Sequence, residues 1–264
     1  MPKLRIEYQV LPSPAELARA AAGFFVEQAR QAVQARGRAR IAISGGSTPE
    51  AVFRLLASPE EPYRAQMPWD RIELFWVDER CVPPDQPDSN YRMTREALLD
   101  RVPLPAAQIH RMEGELEPEI AAARYESALR NAFRLEGAEL PRFDLVALGM
   151  GEDGHTASLF PSTEALNALT PLVVANHVPQ KNAWRLTLTW PVLNQASQVF
   201  FLIAGAAKAG IVHQVFTGPR DPERLPSQLI SPASGILTVM LDKAAAAQLP
   251  APDESGRSVI ERRR

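Results

Sequence analysis

Apolar blocks without internal alternation recur along the chain. Between them lie stretches whose apolar positions repeat every three or four residues. The blocks at residues 40–44, 72–77 (I-E-L-F-W-V), 143–148 and 199–203 (V-F-F-L-I) are short and carry little charge. Such runs predict strands buried on both faces, as in a parallel sheet. Residues 4–10 alternate more loosely and predict a first strand, and 172–175, 185–189 and 235–241 predict three more.

Helices are expected between the strands. Ser13, Pro14 and Glu16 form a helix start: an N-cap hydroxyl, a proline at the first position and a capping-box carboxylate. Leu17, Ala21, Phe24, Phe25, Ala32 and Val33 then share one face, and Gly37 is the expected stop. Thr48 and Pro49 read as the cap and first residue of a second helix, and Ser89-Asn90-Tyr91 opens a third. Pro118 starts a long helix with Ala121, Tyr125, Leu129 and Phe133 on its apolar face and Arg124, Glu126, Arg130 and Arg134 on its wet one. Residues 205–208 lead into a helix that runs to about Phe216, and Asp242 is placed to cap a short alanine-rich helix. Residues 250–264 are polar, end in three arginines, and read as a frayed tail. Strands and helices alternate with no internal repeat and no linker before that tail. The expectation is one α/β catalytic domain over residues 1–249, with a mainly parallel, open, Rossmann-like sheet covered by helices on both faces.

Composition narrows the class. A hydrophobic content of 45% and a charged content of 23% are those of a soluble globular protein. The formal net charge of −2 argues against a broad nucleic-acid surface. Cys81 is the single cysteine, so an intrachain disulfide and a cysteine zinc cluster are excluded. No apolar run approaches the ~20 residues of a membrane span, and no apolar signal core follows Lys3 and Arg5. The expected location is cytoplasmic, with neither nucleic acid nor membrane as partner.

Chemistry concentrates at strand ends. The run S-G-G-S-T-P at residues 44–49 follows a strand and opens a helix. Gly45, Gly46, Ser47 and Thr48 would aim free N–H groups and a helix dipole at one point, which suits a phosphate. An ordinary capped turn explains the same hexapeptide, and no Gly-Lys-Ser/Thr follows to make it a Walker A loop. The segment F-D-L-V-A-L-G-M-G-E-D-G-H at residues 143–155 ends a buried strand in glycines and then presents His155. That is where open α/β sheets place their ligand crevice. Asp78-Glu79-Arg80 ends another strand, and Lys208 follows a third. Read alone, the triplet is a solvated strand end and Lys208 a solvated lysine.

Several alternatives fall away. Gly149-x-Gly151-x-x-Gly154 has the spacing of a dinucleotide fingerprint, but Glu152 and Asp153 would stand where a pyrophosphate should lie. The acidic residue expected ~20 positions later is also absent. His110, His155, His177 and His213 show no paired metal spacing. No G-x-S-x-G elbow occurs. What remains is His155 as a general base or acid, with nearby carboxylates and a phosphate clamp.

Four separated motifs agree on a family. They are S-G-G-S-T-P at Ser44, W-V-D-E-R-C-V-P at Trp76 with S-N-Y at Ser89, G-M-G-E-D-G-H-T-A-S-L-F-P at Gly149, and R-L-T-L-T at Arg185. In this order they resemble the 6-phosphogluconolactonases, over residues 44–241. The resemblance implies the sugar-phosphate isomerase/deaminase-like α/β fold and hydrolysis of a sugar-phosphate lactone, 6-phospho-D-glucono-1,5-lactone, without a cofactor or metal. Glucosamine-6-phosphate deaminases share the glycine loop and a G-x-D-G-H segment, but continue I-A-F-N-E-P with an acid that takes part in ring opening. This chain reads T-A-S-L-F-P and lacks that acid. It departs from the lactonases at Gln180-Lys181-Asn182, where Lys-Pro-Pro is common, and near Val239, where an aromatic residue is usual.

The resulting expectation has three parts. Gly45 to Thr48, Lys208 and Arg185 hold the phosphate. His155 moves the proton, and Arg80 meets the oxyanion. Asp78 orients Arg80 or His155. Gly151, Asp153 and Lys181 complete the candidate set, and Ser158 holds a turn. A catalytically silent sugar-phosphate sensor and a deaminase-like enzyme are the competing readings. A monomer or small homo-oligomer is expected.

Overall fold

Uninterrupted apolar strands need cover on both faces, and the computed structural model, which describes residues 3–233 and 236–263, provides it. In chain order the elements are β1 (Lys3–Leu11), α1 (Pro14–Arg36), β2 (Ala39–Ile43), α2 (Ser47–Ala57), α3 (Tyr63–Gln66), β3 (Ile72–Trp76), β4 (Asp78–Arg80), α4 (Asn90–Ala97), β5 (Ile109–His110), α5 (Pro118–Phe133), β6 (Leu145–Leu148), β7 (Val173–Val178), β8 (Ala183–Leu188), α6 (Trp190–Asn194), β9 (Gln198–Ile203), α7 (Ala209–Thr217), β10 (Ile236–Asp242) and β11 (Arg257–Arg263). Eight strands form the main sheet in the order β11-β1-β10-β9-β6-β2-β3-β5. The β1–β11 pair is antiparallel, and the other neighbours pair in parallel.

Successive strand residues enter opposite cores, as the two-residue strand period demands. Ile41, Leu74, Leu145 and Phe200 pack on one face with Leu17, Phe25, Val52 and Phe53 of α1 and α2. Ala42, Phe75, Val146 and Phe201 pack on the other with Tyr125 and Leu129 of α5 and Val212 and Phe216 of α7. Phe200 meets Phe24 and Phe25 edge-on, with centroids 5.1 and 5.5 Å away. Truncating such a ring to alanine costs about 3–5 kcal/mol. α1 begins as its sequence dictates. Glu16 N donates to Ser13 Oγ (3.3 Å), that hydroxyl donates to Glu16 Oε2 (2.9 Å), and Gly37 closes the helix at φ 75°.

Four features differ from the sequence reading. First, β7 and β8 do not join the main sheet: with β4 they form a three-stranded antiparallel sheet, order β4-β8-β7. The chain leaves the main sheet at Val77, whose carbonyl accepts from Leu188 N (2.8 Å). Asp78-Glu79-Arg80 is therefore a paired strand, with Asp78 and Glu79 buried, and not a solvated end. Second, α2 starts at Ser47 with Gly46 at its N-cap, so Thr48 and Pro49 lie inside the first turn. Third, Asp242 caps turns rather than a helix: Ala245 N donates to it at 2.8 Å. Fourth, the expected tail contains β11, which pairs with β1 from Lys3↔Arg263 to Gln9↔Arg257. Its residues from Arg257 to Arg262 alternate between exposed and half-buried, and charged side chains frame Val259 and Ile260, which suits an edge strand. Gly235 of the expected last strand, and Arg264, lie outside the described residues.

The connections fix where a site can form. From β2 the chain passes to β3 on one side, and from β6 to β9 on the other. The switch point of the sheet therefore lies between β2 and β6, where ligands bind beyond the carboxyl ends of strands.

Candidate active site

A cavity of about 270 Å³ opens at that switch point, just below the roughly 300–1,000 Å³ usual for small-molecule sites. It brings together Gly45, Gly46, Ser47, Thr48, Asp78, Arg80, Gly151, His155 and Lys208. The carboxyl ends of β2 and β6 are tied at its floor, where Ser44 Oγ donates to the carbonyl of Ala147 (2.6 Å).

The glycine loop follows β2 directly. Gly46 sits at φ 111°, a conformation closed to most side chains, and its carbonyl accepts the first helical bond from Glu50 N (3.0 Å). The N–H groups of Ser47 and Thr48 have no partner within the helix and point from its positive end. The amide of Asn90 lies flat against Gly45, where a Cβ would meet Oδ1 at 1.8 Å.

Across the cavity stands His155. Its Nδ1 is 2.5 Å from Asp153 Oδ1, and its backbone N donates to the same oxygen (3.2 Å). One ring nitrogen is thus committed to the carboxylate, and Nε2 is the nitrogen available to a substrate. The ring stacks on Phe160 at a centroid distance of 4.0 Å. Burial works to raise the Asp153 pKa, but the hydrogen bond and charge of His155 outweigh it, and the carboxyl lies below its ordinary value. Gly151 N donates to the His155 carbonyl (2.9 Å) and closes the turn.

Asp78 lines the cavity beside Arg80, and its hydrogen bonds run to Ser158 and Asn90. Its Oδ2 accepts from Ser158 Oγ (2.8 Å), while Asn90 Nδ2 donates to its backbone carbonyl (3.0 Å). The partner that orients His155 is Asp153, two residues away. Ser158 does hold its turn, through Asp78. Arg80 Nη1 donates to the carbonyl of Asp88. Arg185 faces Arg80 across the β4–β8 pair. Burial and the like charge of Arg80 lower the Arg185 pKa, against the pull of Asp78. Arg185 is therefore beside the cavity and not among its lining residues.

Beneath Arg80 is a carboxylate that the sequence reading left out. Glu79 is 2% exposed and accepts from Arg80 N (2.7 Å), Asn90 N (2.7 Å), Tyr91 N (2.8 Å) and Ser89 Oγ (3.0 Å). It fastens the start of α4 to β4 and so sets Asn90 against the glycine loop. Desolvation raises its pKa despite these donors. Only the S-N-Y run hinted at this contact.

Lys208 lines the cavity at the start of α7. The turn that presents it is held by buried Asp242, which accepts from Gly205 N at 3.1 Å. Lys181 is exposed at the tip of the β7–β8 hairpin and is not brought to the cavity. Asn90, Met150, Ala157 and Ser44 line it without having been singled out as ligands. Among the described residues, no group of three or more His, Cys, Asp or Glu side chains converges as a metal site. No described helix is long and apolar enough to cross a membrane.

A glycine loop and helix N-terminus at one end of the cavity, with an oriented imidazole at the other, suit a phosphorylated sugar as ligand. Comparison agrees, since the family model for glucosamine-6-phosphate isomerases/6-phosphogluconolactonase matches residues 12–239, and the chain belongs to that family. Within it, the similarity runs to the lactonases. A 6-phosphogluconolactonase from Nostoc sp. is 41% identical over 242 residues, covering 91% of this chain and 97% of the relative. The crystal structure of devB protein superposes with a TM-score of 0.83 at 36% identity, over 93% of this chain and 100% of that one. The 6-phosphogluconolactonase from Trypanosoma cruzi superposes with a TM-score of 0.78 at 30% identity, over 92% and 96%.

Proposed function

We propose that this chain hydrolyses 6-phospho-D-glucono-1,5-lactone to 6-phospho-D-gluconate, in the oxidative branch of the pentose phosphate pathway. The observation that carries the reading is the Asp153–His155 pair, 2.5 Å apart, with its imidazole lining the same cavity as the glycine loop and Lys208. The names and coverage of the relatives support the choice of lactone. A cytoplasmic site of action and a monomer or small homo-oligomer go with the proposal.

The phosphate lies on the N–H groups at Ser47 and Thr48, with Lys208 as counter-charge. Anchoring one end of the sugar brings the lactone carbonyl to His155. Asp153 accepts Nδ1–H, which leaves the lone pair on Nε2. That nitrogen takes a proton from water as the water oxygen bonds to C1. The carbonyl electrons move to oxygen, and Arg80 meets the oxyanion, with Arg185 adding positive potential behind it. The C1–O5 bond then breaks, and Nε2–H returns its proton to O5, which leaves as a hydroxyl. The new carboxyl ionises, so one proton is released for each lactone hydrolysed. Asp78, held by Ser158, accepts a sugar hydroxyl. Acid–base help of this kind supplies typically ~10²–10⁴-fold, and a placed oxyanion donor a few kcal/mol more.

The test is proton release at constant pH from freshly made lactone, with spontaneous hydrolysis subtracted. His155→Ala and His155→Asn should lose kcat with KM little changed. Full kcat in either variant overturns the role of His155. Tight 6-phosphogluconate binding without turnover would make the chain a sensor. Ammonia from glucosamine 6-phosphate would make it a deaminase.

A further inference from the structure

The last strand reaches the site through side chains that the reaction above leaves unused. Arg262 on β11 is half-buried. Its Nη1 donates to the carbonyl of Val215 (2.7 Å), near the C-terminal end of α7, and its Nη2 to the carbonyl of Gln228 (3.3 Å). Gln228 is fully buried. Its Oε1 accepts from Asp221 N (2.6 Å), and its Nε2 donates toward the carbonyls of Pro219 (3.0 Å) and Gln214 (3.2 Å). Arg220 Nη1 donates to the Gln228 carbonyl as well (2.9 Å).

This knot touches both halves of the site. Ser227, next to Gln228, donates its N–H to the carbonyl of Gly154 (2.9 Å), the residue before His155. Leu225 packs on Gly154. At the opposite end of α7 from Val215 stands Lys208. The knot is costly to maintain. Burial, aided by the like charge of Arg220, lowers the Arg262 pKa to about 10, and the buried Arg262 Nε has no partner among the described residues. An apolar side chain would fill such a site at lower cost, but it could not donate to two carbonyls from different segments.

We propose that Arg262 is a positioning residue for the reaction: through Val215 and Gln228 it fixes the helix that begins at Lys208 and the turn that carries His155, and so sets the distance between the phosphate end and the proton-transfer end of the site. The inference rests on the reading above for the roles of those two residues.

The experiment compares Arg262→Ala and Arg262→Lys with the unaltered protein, after circular dichroism and melting have shown each to be folded. Kinetics are measured on fresh lactone with and without millimolar methylguanidinium, and hydrogen exchange is followed at the Ser227 amide. Arg262→Ala should lose about 10–100-fold in kcat/KM, split between lower kcat and higher KM, since small displacements of a reacting group cost this much. Methylguanidinium should restore part of the loss. Arg262→Lys, with a single donor head, should fall between, and Ser227 should exchange faster in the alanine variant. Unchanged kcat and KM in folded Arg262→Ala overturn the proposal. So does a loss with no rescue and unchanged exchange at Ser227. If Arg262→Ala does not fold, Arg262→Lys is judged by the same criteria. If neither folds, Arg262 is a folding determinant and the proposal is wrong. Should the unaltered protein turn over no lactone, the functional reading fails by itself, while exchange at Ser227 still decides whether the knot reaches the His155 turn.

Discussion

Gly151 lies directly against the imidazole of His155: a Cβ there would sit 2.0 Å from Nδ1 and 2.5 Å from the Asp153 oxygen that Nδ1 meets. The space of one methyl group is filled by the pair itself. The glycine is therefore a condition of the Asp153–His155 geometry, and not merely a residue that turns the chain.

Gly151→Ala should accordingly displace the ring while leaving the Gly45–Thr48 loop in place. The expected result is a fall in kcat of about 10²-fold, the scale of a misplaced reacting group, with KM changed far less. Steady-state kinetics on fresh lactone check this. A variant with normal kcat would show that the pair tolerates a different approach.

Asp153→Asn should keep the shape and lose the charge. The amide can present either its oxygen or its NH₂ to Nδ1, so the tautomer with a free Nε2 lone pair is no longer enforced. A loss in kcat of about 10²–10⁴-fold is expected by analogy with other His–Asp pairs. The substitution also has a stability signature. The Asp153 carboxyl is lowered in the fold, so its contribution is present above the unfolded value near ~3.9 and is lost as pH falls through the lower folded value. Melting temperature measured across that acid window should decline less steeply in Asp153→Asn than in the unaltered protein.

Glu79→Gln should be destabilising. Its two oxygens accept three backbone N–H groups and the Ser89 hydroxyl. Whichever oxygen becomes NH₂, a buried backbone N–H loses its acceptor, at a cost of about 1–3 kcal/mol. Calorimetry should show a fall of about 2–4 °C for each kcal/mol. The pH signature is opposite to that of Asp153. Burial raises the Glu79 pKa, so its contribution to stability is fully present below the unfolded value near ~4.3 and is lost as pH rises through the higher folded value. Glu79→Gln removes that slope.

Lys208→Ala and Arg80→Ala should separate binding from chemistry. In the proposed mechanism Lys208 serves the phosphate in ground and transition states alike, so its loss should mainly raise KM. In the same mechanism Arg80 meets charge that exists only after attack on C1, so its loss should mainly lower kcat, by about 10²–10³-fold if it is the principal oxyanion donor. Equal effects on both parameters from both substitutions would collapse the distinction.

Local chemistry is what the sequence makes legible. The cap at Ser13, the stop at Gly37, the buried apolar strands and the His155 turn all follow from neighbours a few residues apart, and each stands as expected. The expected loop residues Gly45 to Thr48 and the distant Lys208 share a cavity with His155, because they follow the carboxyl ends of β2 and β9, the two parallel strands that flank β6. Long-range pairing is where the reading stops. Asp78 finds Ser158 eighty positions away, and no spacing rule announces that bond. The strands of the small sheet alternate no differently from main-sheet strands, so their separation was invisible. Asp153 belongs to the candidate set and also argues against a pyrophosphate, but nothing in the spacing says that it is the carboxylate held against His155. Lys181 drew notice through a neighbouring motif and stands clear of the cavity on its hairpin.

The position of β1 bears on how the protein is made. Lys3–Leu11 is flanked in the sheet by β10 and β11, whose residues are translated long after it. During synthesis this strand emerges with neither edge occupied, and both neighbours arrive only when nearly all the described chain is out. Closing so long a loop is entropically costly and slow. Until then an apolar ribbon carrying Leu4, Ile6 and Tyr8 is open to chaperones and to other nascent chains. Moving Lys3–Leu11 by circular permutation to follow β11 through a short turn would shorten that wait, and should raise the yield of folded protein without altering any residue that lines the cavity.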